Sequence, residues 1–575
     1  MALTAATHPA PGRQTARPTP PAMDPVAFEV IRNAFLNVTE EMALTVRRAA
    51  YSTNIKTRAD FSCAFFDREL RCIAQSFAQP PHLVSMASVV PNAIREFGAE
   101  NLAPGDALLV NDPHRGSSHL NDIGCISPVF AAGELVGYVG NLAHHVDVGG
   151  SSPASLGVNR ELFQEGLIIP PTRVARGGEI DRNVFRLILS NIRAPRETNG
   201  DLRAQMSANF VGAQRIAKLF ETWSGPTLAT FFDELIAYTE RWTIEEIAAL
   251  PQGSFEVEGF RDDDGFSDEP IRLRLKVTIG DGMMTLDPTG SDAQRASPIN
   301  CTRSMATCCL AFVARCLMSR GLPVNSGFLG RLRTIGPDGL VCTAVRPAAV
   351  VGGWEMGQRI AELIWRALHP AMPDRVPAAG KGLIVNLGFG GQDPKRGEYY
   401  CYMETIAGGN GARPTKDGPD AVQTTLHNTE NAPVEEVELN YPMRIRRYEL
   451  IEDSSGAGRF RGGSGVRRDF EFPYAPCTFT VLSDGRKFPP WGLSGGHDAR
   501  PARFVLDPDG EAVDLPSKVT VEVPRGGVVR VETPGGGGFG SPLERDADLV
   551  AKDLVDGKIS ARFAREVYGW KGAGD

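Results

Sequence analysis

The sequence predicts an α+β fold, with helices and sheets mixed along the chain and strands concentrated in its C-terminal part. Apolar residues recur at spacings of three and four in residues 25–51 and 202–250, which is the period of an amphipathic helix. Segments rich in β-branched residues, such as "SFEVEGF" and "KVTVEVPRGGVVRVETP", recur after residue 251 and are typical of strands. No internal repeat accompanies these patterns.

The first predicted element is a long helix that begins at Asp24 and Pro25. Aspartate is a good helix cap and proline suits the first helical position. The helix ends near Tyr51, and its buried face consists of Phe28, Ile31, Phe35, Val38, Met42 and Val46. Residues 60–75 are predicted to form two short strands joined at Asp67–Glu69.

Composition and charge exclude several classes of protein. Hydrophobic residues make up 42% and charged residues 23%, which is ordinary for a globular chain. The net charge is −8 and no basic run is present, which argues against a nucleic-acid-binding protein. The lack of an 18-residue apolar run argues against a membrane span. Ten scattered cysteines without a CxxC pair fit a cytoplasmic protein.

Histidines and aspartates gather in two short segments, "NDPHRGSSHLNDIGC" (111–125) and "NLAHHVDVGG" (141–150). They hold four of the nine histidines of the chain. The predicted strands "GDALLVND" and "GELVGYVGNLAHH" end in these segments, so their polar residues reach loops on a rigid scaffold. His119 and Asp122 converge if the chain turns between them, and His144 arrives from the second strand. Two imidazoles and one carboxylate suit a divalent Zn, Mn, Fe or Co ion.

A fourth ligand is needed to complete such a site, and Asp60 at the start of its predicted strand is the candidate. Asp112 and Asp147 are the alternatives. The competing interpretation is that each histidine caps a turn or fills the core, because HxxD and HH are weak motifs taken singly. The clustering of the histidines favours a metal site.

The domain organisation follows from breaks in these patterns. Residues 1–23, rich in Ala, Pro and Thr, are predicted to be a disordered tail, and Met23 is an alternative start. Pro251 interrupts the helical pattern, so a boundary is placed there. The chain thus divides into a metal-binding α/β domain at 24–250 and a mixed, strand-rich domain at 251–575. Further helices are predicted at 303–319 and 356–368.

Several familiar catalytic motifs are missing from the sequence. It contains no GxxxxGK[ST], so no Walker-type ATP site is predicted, and neither HExxH, HxH nor GxSxG occurs as a catalytic motif. "GGGGFG" (535–540) matches GxGxxG, but prolines flank it and exclude the strand–turn–helix context. It is predicted to be a flexible loop.

A second glycine-rich segment, "ETIAGGNGARPTKDG" (404–418), is a candidate for substrate binding. Gly409 and Gly411 would let the backbone approach a ligand, and Arg413 would pair with an anion. Ordinary turn chemistry is the alternative for this segment.

A longer series of motifs runs in one order from about Met23 to about residue 570. It includes "DFSCAFFD", "NDPHRGSSHLND", "AHHVDVGG", "VVGGWEMGQR", "NTENAPVEEVELNYPMRIRRYEL" and "ETPGGGGFG". Together these motifs resemble the hydantoinase B/oxoprolinase family. That family includes B subunits of ATP-dependent N-methylhydantoinases, the C-terminal half of 5-oxoprolinase, caprolactamase subunits, and subunits of acetone and acetophenone carboxylases.

The resemblance implies a division of labour between two subunits. ATP is bound by a separate A-type, actin-like kinase subunit, which phosphorylates a carbonyl oxygen, and the B subunit carries a divalent transition metal. The metal ligands of the family correspond to Asp60, His119, Asp122 and His144 here. The usual family form is close to NDPYxGGTHLPD, so the pocket beside the ligands is expected to differ at His114, Ser117, Ser118 and Asn121.

The expected function is a cytoplasmic, hetero-oligomeric hydrolase that opens a cyclic amide such as a hydantoin, 5-oxoproline or a lactam. His145 or Asp147 is the expected general base, or orients a metal ligand. One alternative is a subunit of an ATP-dependent acetone- or acetophenone-type carboxylase. Another is a non-catalytic scaffold for the kinase subunit.

Overall fold

The computed structural model describes residues 23–76 and 80–572. The predicted tail at 1–23 therefore lies outside the described residues, apart from Met23. Twelve α-helices occur in the described part of the chain. They are α1 Pro25–Ala49, α2 Thr53–Lys56, α3 Pro80–Phe97, α4 Arg182–Leu189, α5 Pro195–Thr222, α6 Gly225–Ala248, α7 Arg303–Leu317, α8 Ser326–Leu329, α9 Gly353–Leu368, α10 Val434–Asn440, α11 Ala547–Val555 and α12 Ala561–Tyr568.

Twenty strands accompany these helices in the same described ranges. They are β1 Phe61–Asp67, β2 Cys72–Gln75, β3 Ala107–Val110, β4 Asp122–Ala131, β5 Glu134–His144, β6 Thr172–Arg176, β7 Glu179–Ile180, β8 Gly253–Arg261, β9 Ile271–Gly280, β10 Met283–Asp287, β11 Leu332–Thr334, β12 Asn386–Asp393, β13 Glu398–Thr405, β14 Arg444–Leu450, β15 Val466–Glu471, β16 Cys477–Leu482, β17 Arg503–Leu506, β18 Val513–Leu515, β19 Lys518–Val523 and β20 Val528–Glu532.

The strands form four sheets, which confirms the predicted α+β class. A seven-stranded sheet has the order β2-β1-β5-β4-β3-β6-β7, and a four-stranded sheet has the order β11-β10-β9-β8. The C-terminal part adds two sheets, ordered β13-β12-β16-β19 and β14-β15-β20-β17-β18. Neighbouring strands are antiparallel except for β10 and β11, which pair in parallel.

The long N-terminal helix forms as predicted, because its capping and its apolar spacing agree. The Asp24 side chain accepts a hydrogen bond from the Ala27 N–H at 2.9 Å, and all six predicted face residues are buried. The ring of Phe35 stacks on Phe65 of β1 at a centroid distance of 5.2 Å. This contact fixes α1 against the seven-stranded sheet.

The predicted helical stretch 202–250 is two helices, α5 and α6, and α5 begins seven residues earlier at Pro195. Proline at the first position of α5 needs no N–H partner, so the helix starts at a residue that reads as a breaker in the sequence. One apolar core contains side chains from both sides of the predicted boundary at Pro251, among them Phe231 and Leu363. The boundary itself stays a prediction.

The segment predicted to be a flexible loop, 535–540, is instead packed in the interior. Residues 535–538 are buried, and the Gly536 N–H donates to the Gly463 carbonyl at 2.9 Å. A methyl group on Gly536 would lie 1.9 Å from the Asn410 carbonyl oxygen, and one on Gly462 would lie 1.8 Å from that of Gly536. Glycine is present here because backbones pass each other at contact distance, and flexibility plays no part.

All ten cysteines are free thiols and nine of them are buried, as expected for small core residues. Within residues 23–76 and 80–572, no helix combines the length and apolar character that a bilayer crossing needs.

Candidate metal centre

Three neighbouring strands bring an aspartate, a histidine and another aspartate into one row. Asp60 precedes β1, and the His144 N–H donates to the Asp60 carbonyl at 3.0 Å, which extends the β1–β5 pairing by one residue. On the other side of β5, His144 is the direct partner of Asp122 in the β4–β5 register. Strand pairing alone therefore aligns these three residues across the sheet.

His119 joins this row through the turn that precedes β4. The Asp122 N–H donates to the His119 carbonyl at 3.2 Å, so the two side chains converge as the spacing predicts. His119 Nδ1 lies 3.0 Å from Asp122 Oδ2, and His144 Nδ1 lies 3.3 Å from Asp122 Oδ1. One ligand atom from each of the three residues lies within 4.8 Å of the others, and all three are buried.

The residues present fit a bound cation. Asp122 Oδ1 is buried and accepts no hydrogen bond, although an imidazole nitrogen of His144 and one of His82 each lie 3.3 Å away. Asp60 Oδ1 is likewise buried without a hydrogen-bond partner. Buried carboxylate oxygens are normally hydrogen-bonded, so these unbonded oxygens beside imidazole nitrogens fit a shared ion.

Three residues near the ligands escaped the sequence analysis: His82 on α3, Trp354 on α9, and His427. The Trp354 ring lies 5.5 Å from His82, 6.0 Å from His119 and 5.8 Å from His427, between ring centroids. These residues come from parts of the chain far apart in sequence, and none stands in a metal-ligand spacing. The low number of histidines in the chain is the one sequence signal that could have drawn attention to His82 and His427, and no signal points to Trp354.

Asp60, His144, Asp122 and His119 are called the ligand row. A cavity of about 10 Å³ lies between this row and the second half of the chain. This is room for about one water molecule or one ion. A molecule larger than this can enter only if the walls move. The lining residues are Asp60, His119, His144, Leu156, Val351, Trp354, Ile384, Asn386, Met403, Thr405 and His427.

Strained backbone surrounds this cavity. Positive φ angles occur at non-glycine residues within two positions of lining residues: Ala59, Ala154, Ser155, Val385 and Thr425. Left-handed conformation is costly for side chains and above all for a β-branched residue such as Val385 (φ 61°). Such strain persists where surrounding contacts impose it, and it concentrates at functional sites.

Two buried carboxylates impose the wall conformation. Glu355 accepts hydrogen bonds from the N–H groups of Ile384 and Val385, each at 2.8 Å. Glu165 accepts one from the Val351 N–H at 2.8 Å. Burial raises the pKa of Glu355 to about 7 and that of Glu165 to about 8.

The electrostatics of the ligand row favour an ionised Asp122. Burial alone would raise its pKa, but the imidazoles of His119 and His82 hold it well below the ordinary range. Burial lowers the pKa of His119 and of His427, which favours the neutral form of both rings. A carboxylate beside neutral imidazoles is the protonation state that metal binding requires.

The other predicted site residues lie elsewhere. The His145 ring bonds Gln205 Oε1 at 2.9 Å, and the Asp147 carboxylate accepts from Arg193, so neither lines the cavity. Asp112 pairs with Arg115 and with Arg346. Sequence adjacency suggested these residues, but in an extended strand His145 faces away from His144.

The predicted substrate-binding segment is also away from the cavity. A methyl group on Gly409 would lie 2.0 Å from the Gly463 carbonyl oxygen, and one on Gly411 would lie 1.8 Å from that of Ala378. The Arg413 N–H pairs with the Lys416 carbonyl at 2.9 Å. These glycines serve close packing of backbones, and the structure does not bring Arg413 to the ligand row.

Comparison with known proteins extends over nearly the whole chain. It is 37% identical to an uncharacterised protein of Methanocaldococcus jannaschii, covering 95% of this chain and 96% of that one. It is 34% identical to a Pseudomonas protein named as a putative D-/L-hydantoinase subunit of the B type, covering 95% of each. It is 31% identical to 5-oxoprolinase 1 of Arabidopsis thaliana, of which it spans 42%.

Solved structures share the fold. The ATP-dependent caprolactamase of Pseudomonas jessenii has a TM-score of 0.89 at 28% identity, with 96% of this chain and 97% of that chain covered. An acetone carboxylase has a TM-score of 0.87 at 21% identity, with 96% and 80% covered, which shows a common fold alone. The hydantoinase B/oxoprolinase family model matches residues 24–542. The chain therefore belongs to the hydantoinase B/oxoprolinase family.

Proposed function

We propose that this chain is the metal-containing B subunit of an ATP-dependent hydrolase that opens a cyclic amide. A partner kinase subunit of the A type phosphorylates the amide carbonyl, and the cavity beside the ligand row receives the activated carbon. Phosphorylation is needed because an unactivated amide resists attack, whereas a phosphorylated imidate carries a good leaving group. The relatives named as a hydantoinase subunit and 5-oxoprolinases support this class of substrate.

The observation that carries the proposal is the row Asp60–His144–Asp122, completed by His119. We assign Asp60, His119, Asp122 and His144 as ligands of one divalent Zn, Mn, Fe or Co ion, because two imidazoles and two carboxylates suit these metals. When bound, such an ion supplies Lewis-acid chemistry toward a carbonyl or water oxygen.

The residues of the chain prepare this centre. The Ser118 hydroxyl donates to Asp122 Oδ2 and orients that carboxylate. The buried Trp354 ring makes edge contacts with His82, His119 and His427, and in this position it limits the access of water to the proposed ligands. The bond to Gln205 anchors the His145 ring, and His145 follows the proposed ligand His144 directly in the chain, so we propose it as a positioning residue in place of a general base.

Reconstitution with the partner tests the proposal. The full chain and its kinase subunit are co-expressed, and ATP-dependent opening of hydantoin, 5-oxoproline and caprolactam is followed by mass spectrometry. Ring opening is expected in the complex and is expected to be lost in His119→Ala, while the isolated chain hydrolyses neither ATP nor a ring. Robust ATPase activity of the pure isolated chain contradicts the two-subunit proposal.

The carboxylase alternative is a second outcome of the same experiment. The acetone carboxylase likeness concerns the fold alone, whereas the relative named as a hydantoinase subunit is 34% identical. A bicarbonate-dependent product formed from a ketone, with no ring opening, would replace the hydrolase by a carboxylase. A complex in which His119→Ala changes neither metal content nor activity would favour the scaffold alternative.

A further inference from the structure

Two buried basic side chains lie beside the cavity without a carboxylate ion-pair partner, and burial lowers the pKa of one of them, Lys381, to about 7. Arg58 and Lys381 are each 0% exposed. In the described part of the chain neither forms an ion pair, and both are bound by neutral oxygens. A buried charge without a counter-charge is costly, so a pair of them beside one cavity calls for a functional reason.

The Arg58 guanidinium reaches the cavity through a threonine. It donates to the carbonyls of Met403 and Glu430, each at 3.1 Å, and to the Asn54 side chain at 2.8 Å. It also contacts Met403 Sδ at 3.6 Å and donates to Thr405 Oγ1. Met403 and Thr405 both line the cavity, so this cation stands directly behind its wall.

The Lys381 ammonium reaches the same threonine through Gln423. It donates to Gln423 Oε1 at 2.8 Å, and Gln423 Nε2 lies 3.2 Å from Thr405 Oγ1. Burial lowers the pKa of Lys381 to about 7, so below about pH 7 its ammonium has donors and no acceptor, and the amide turns its carbonyl to Lys381 and its NH₂ to Thr405. The orientation of the amide is fixed by this chemistry.

Thr405 Oγ1 therefore accepts two hydrogen bonds, both anchored on cations. A hydroxyl has two acceptor sites and one hydrogen, so the hydrogen of Thr405 is left to donate. Hydrogen bonds in a chain polarise one another, which strengthens this donor. Thr405 is 1% exposed and lines the cavity together with Asp60, His119 and His144.

We propose that the Thr405 hydroxyl donates a hydrogen bond to an anionic oxygen of the molecule that binds in this cavity. Arg58, Lys381 and Gln423 are positioning residues that polarise it. The charges around the cavity fit an anionic ligand. Asp60 and Asp122 offset a divalent ion, and Arg58 and Lys381 then favour a ligand with negative charge. A neutral carbonyl oxygen gains less from such a donor than an oxyanion does.

This inference rests on the proposed function for the location of the site, and its test uses a separate readout. [¹³C]formate and the neutral isostere [¹³C]formamide are titrated into the full-length chain and observed by NMR, with and without Zn²⁺. The variants are Thr405→Val, Thr405→Ser and Gln423→Leu. Thr480→Val is the matched control, because Thr480 is also a buried strand residue whose hydroxyl bonds that of Thr520 at 2.9 Å.

Thr405→Val is expected to weaken formate binding at least about tenfold, as the loss of a hydrogen bond to a charged group does. Its affinity for formamide is expected to stay within about twofold of the wild type. Thr405→Ser and Thr480→Val are expected to bind as the wild type, and Gln423→Leu to lose about threefold. Equal formate affinity in wild type and Thr405→Val, or no formate binding to the wild type, overturns the inference. Zinc content, measured in parallel, reports on the proposed function alone. A chain that takes up no zinc refutes the metal site, and formate binding that depends on Thr405 in that chain would still keep the role of Thr405.

Discussion

Two adjacent buried serines offer a direct test of the candidate metal centre. The Ser118 hydroxyl donates to the carboxylate of Asp122, which is one of the proposed ligands. The Ser117 hydroxyl donates to the backbone carbonyl of the same residue at 3.2 Å. Ser117 and Ser118 are 0% and 1% exposed, so their replacement by alanine removes the same atoms from equally buried positions.

The expected loss follows from the partner of each hydroxyl. A hydrogen bond to a charged group contributes about 1.5–3 kcal/mol, and about 1.4 kcal/mol corresponds to tenfold in affinity. Ser118→Ala should therefore weaken metal binding by about 10–100-fold, which is the usual effect of losing a bond that orients a ligand. Ser117→Ala leaves the carboxylate untouched and should change metal affinity by less than about threefold.

Competition with a chromophoric chelator measures these affinities. Zn²⁺ and Mn²⁺ are titrated separately into wild type and both variants, and circular dichroism verifies that each protein is folded. Equal losses in the two serine variants would mean that the effect is one of packing. No loss in Ser118→Ala would mean that Asp122 does not bind the metal, and the assignment of the centre would fall.

Other substitutions test the remaining features. Asp60→Asn should keep the fold and weaken metal affinity at least about tenfold in the same competition assay, and an unchanged affinity would remove Asp60 from the ligand set. Burial raises the pKa of Glu362 to about 8 from its ordinary 4.5, so its contribution to stability is complete below about pH 4.5 and is lost as the pH rises through about 8. The free energy of unfolding of Glu362→Gln, measured in urea from about pH 5 to about pH 8, should decline less steeply with pH than that of the wild type, by about 1.4 kcal/mol per pH unit. An identical decline in the two proteins would show that Glu362 ionises normally. Phe35→Ala should lower the free energy of unfolding by about 3–5 kcal/mol in urea, because Phe35 is fully buried against Phe65, and a loss below about 1 kcal/mol would contradict this packing.

The elements predicted well are those whose signal is local. The face of α1 and the turn that joins His119 to Asp122 depend on residues a few positions apart, so their spacing carries the information. Asp60 stands beside His144 because β1 pairs with β5. The sequence suggested this neighbour through the start of a strand and through family resemblance.

The residues that escaped prediction meet through long-range packing. Trp354 reaches His119 across 235 positions, and His427 belongs to another segment again. No periodicity or motif encodes such a contact. That His145 is a general base or orients a metal ligand stays a prediction, and the bond of its ring to Gln205 outside the cavity favours the orienting role.

The backbone crossings at residues 408–411, 462–465 and 535–538 restrict how this protein can change. Even a methyl group has no room at the glycines of these crossings, so a library that randomises them should return almost no folded protein. Their composition is that of a linker, and a designer who chose insertion sites by composition would cut the chain at its least tolerant places. Tags, fusions and permuted termini belong in the exposed turns at Gly133, Gly397 and Gly526, where an added side chain meets no neighbouring atom within 4 Å.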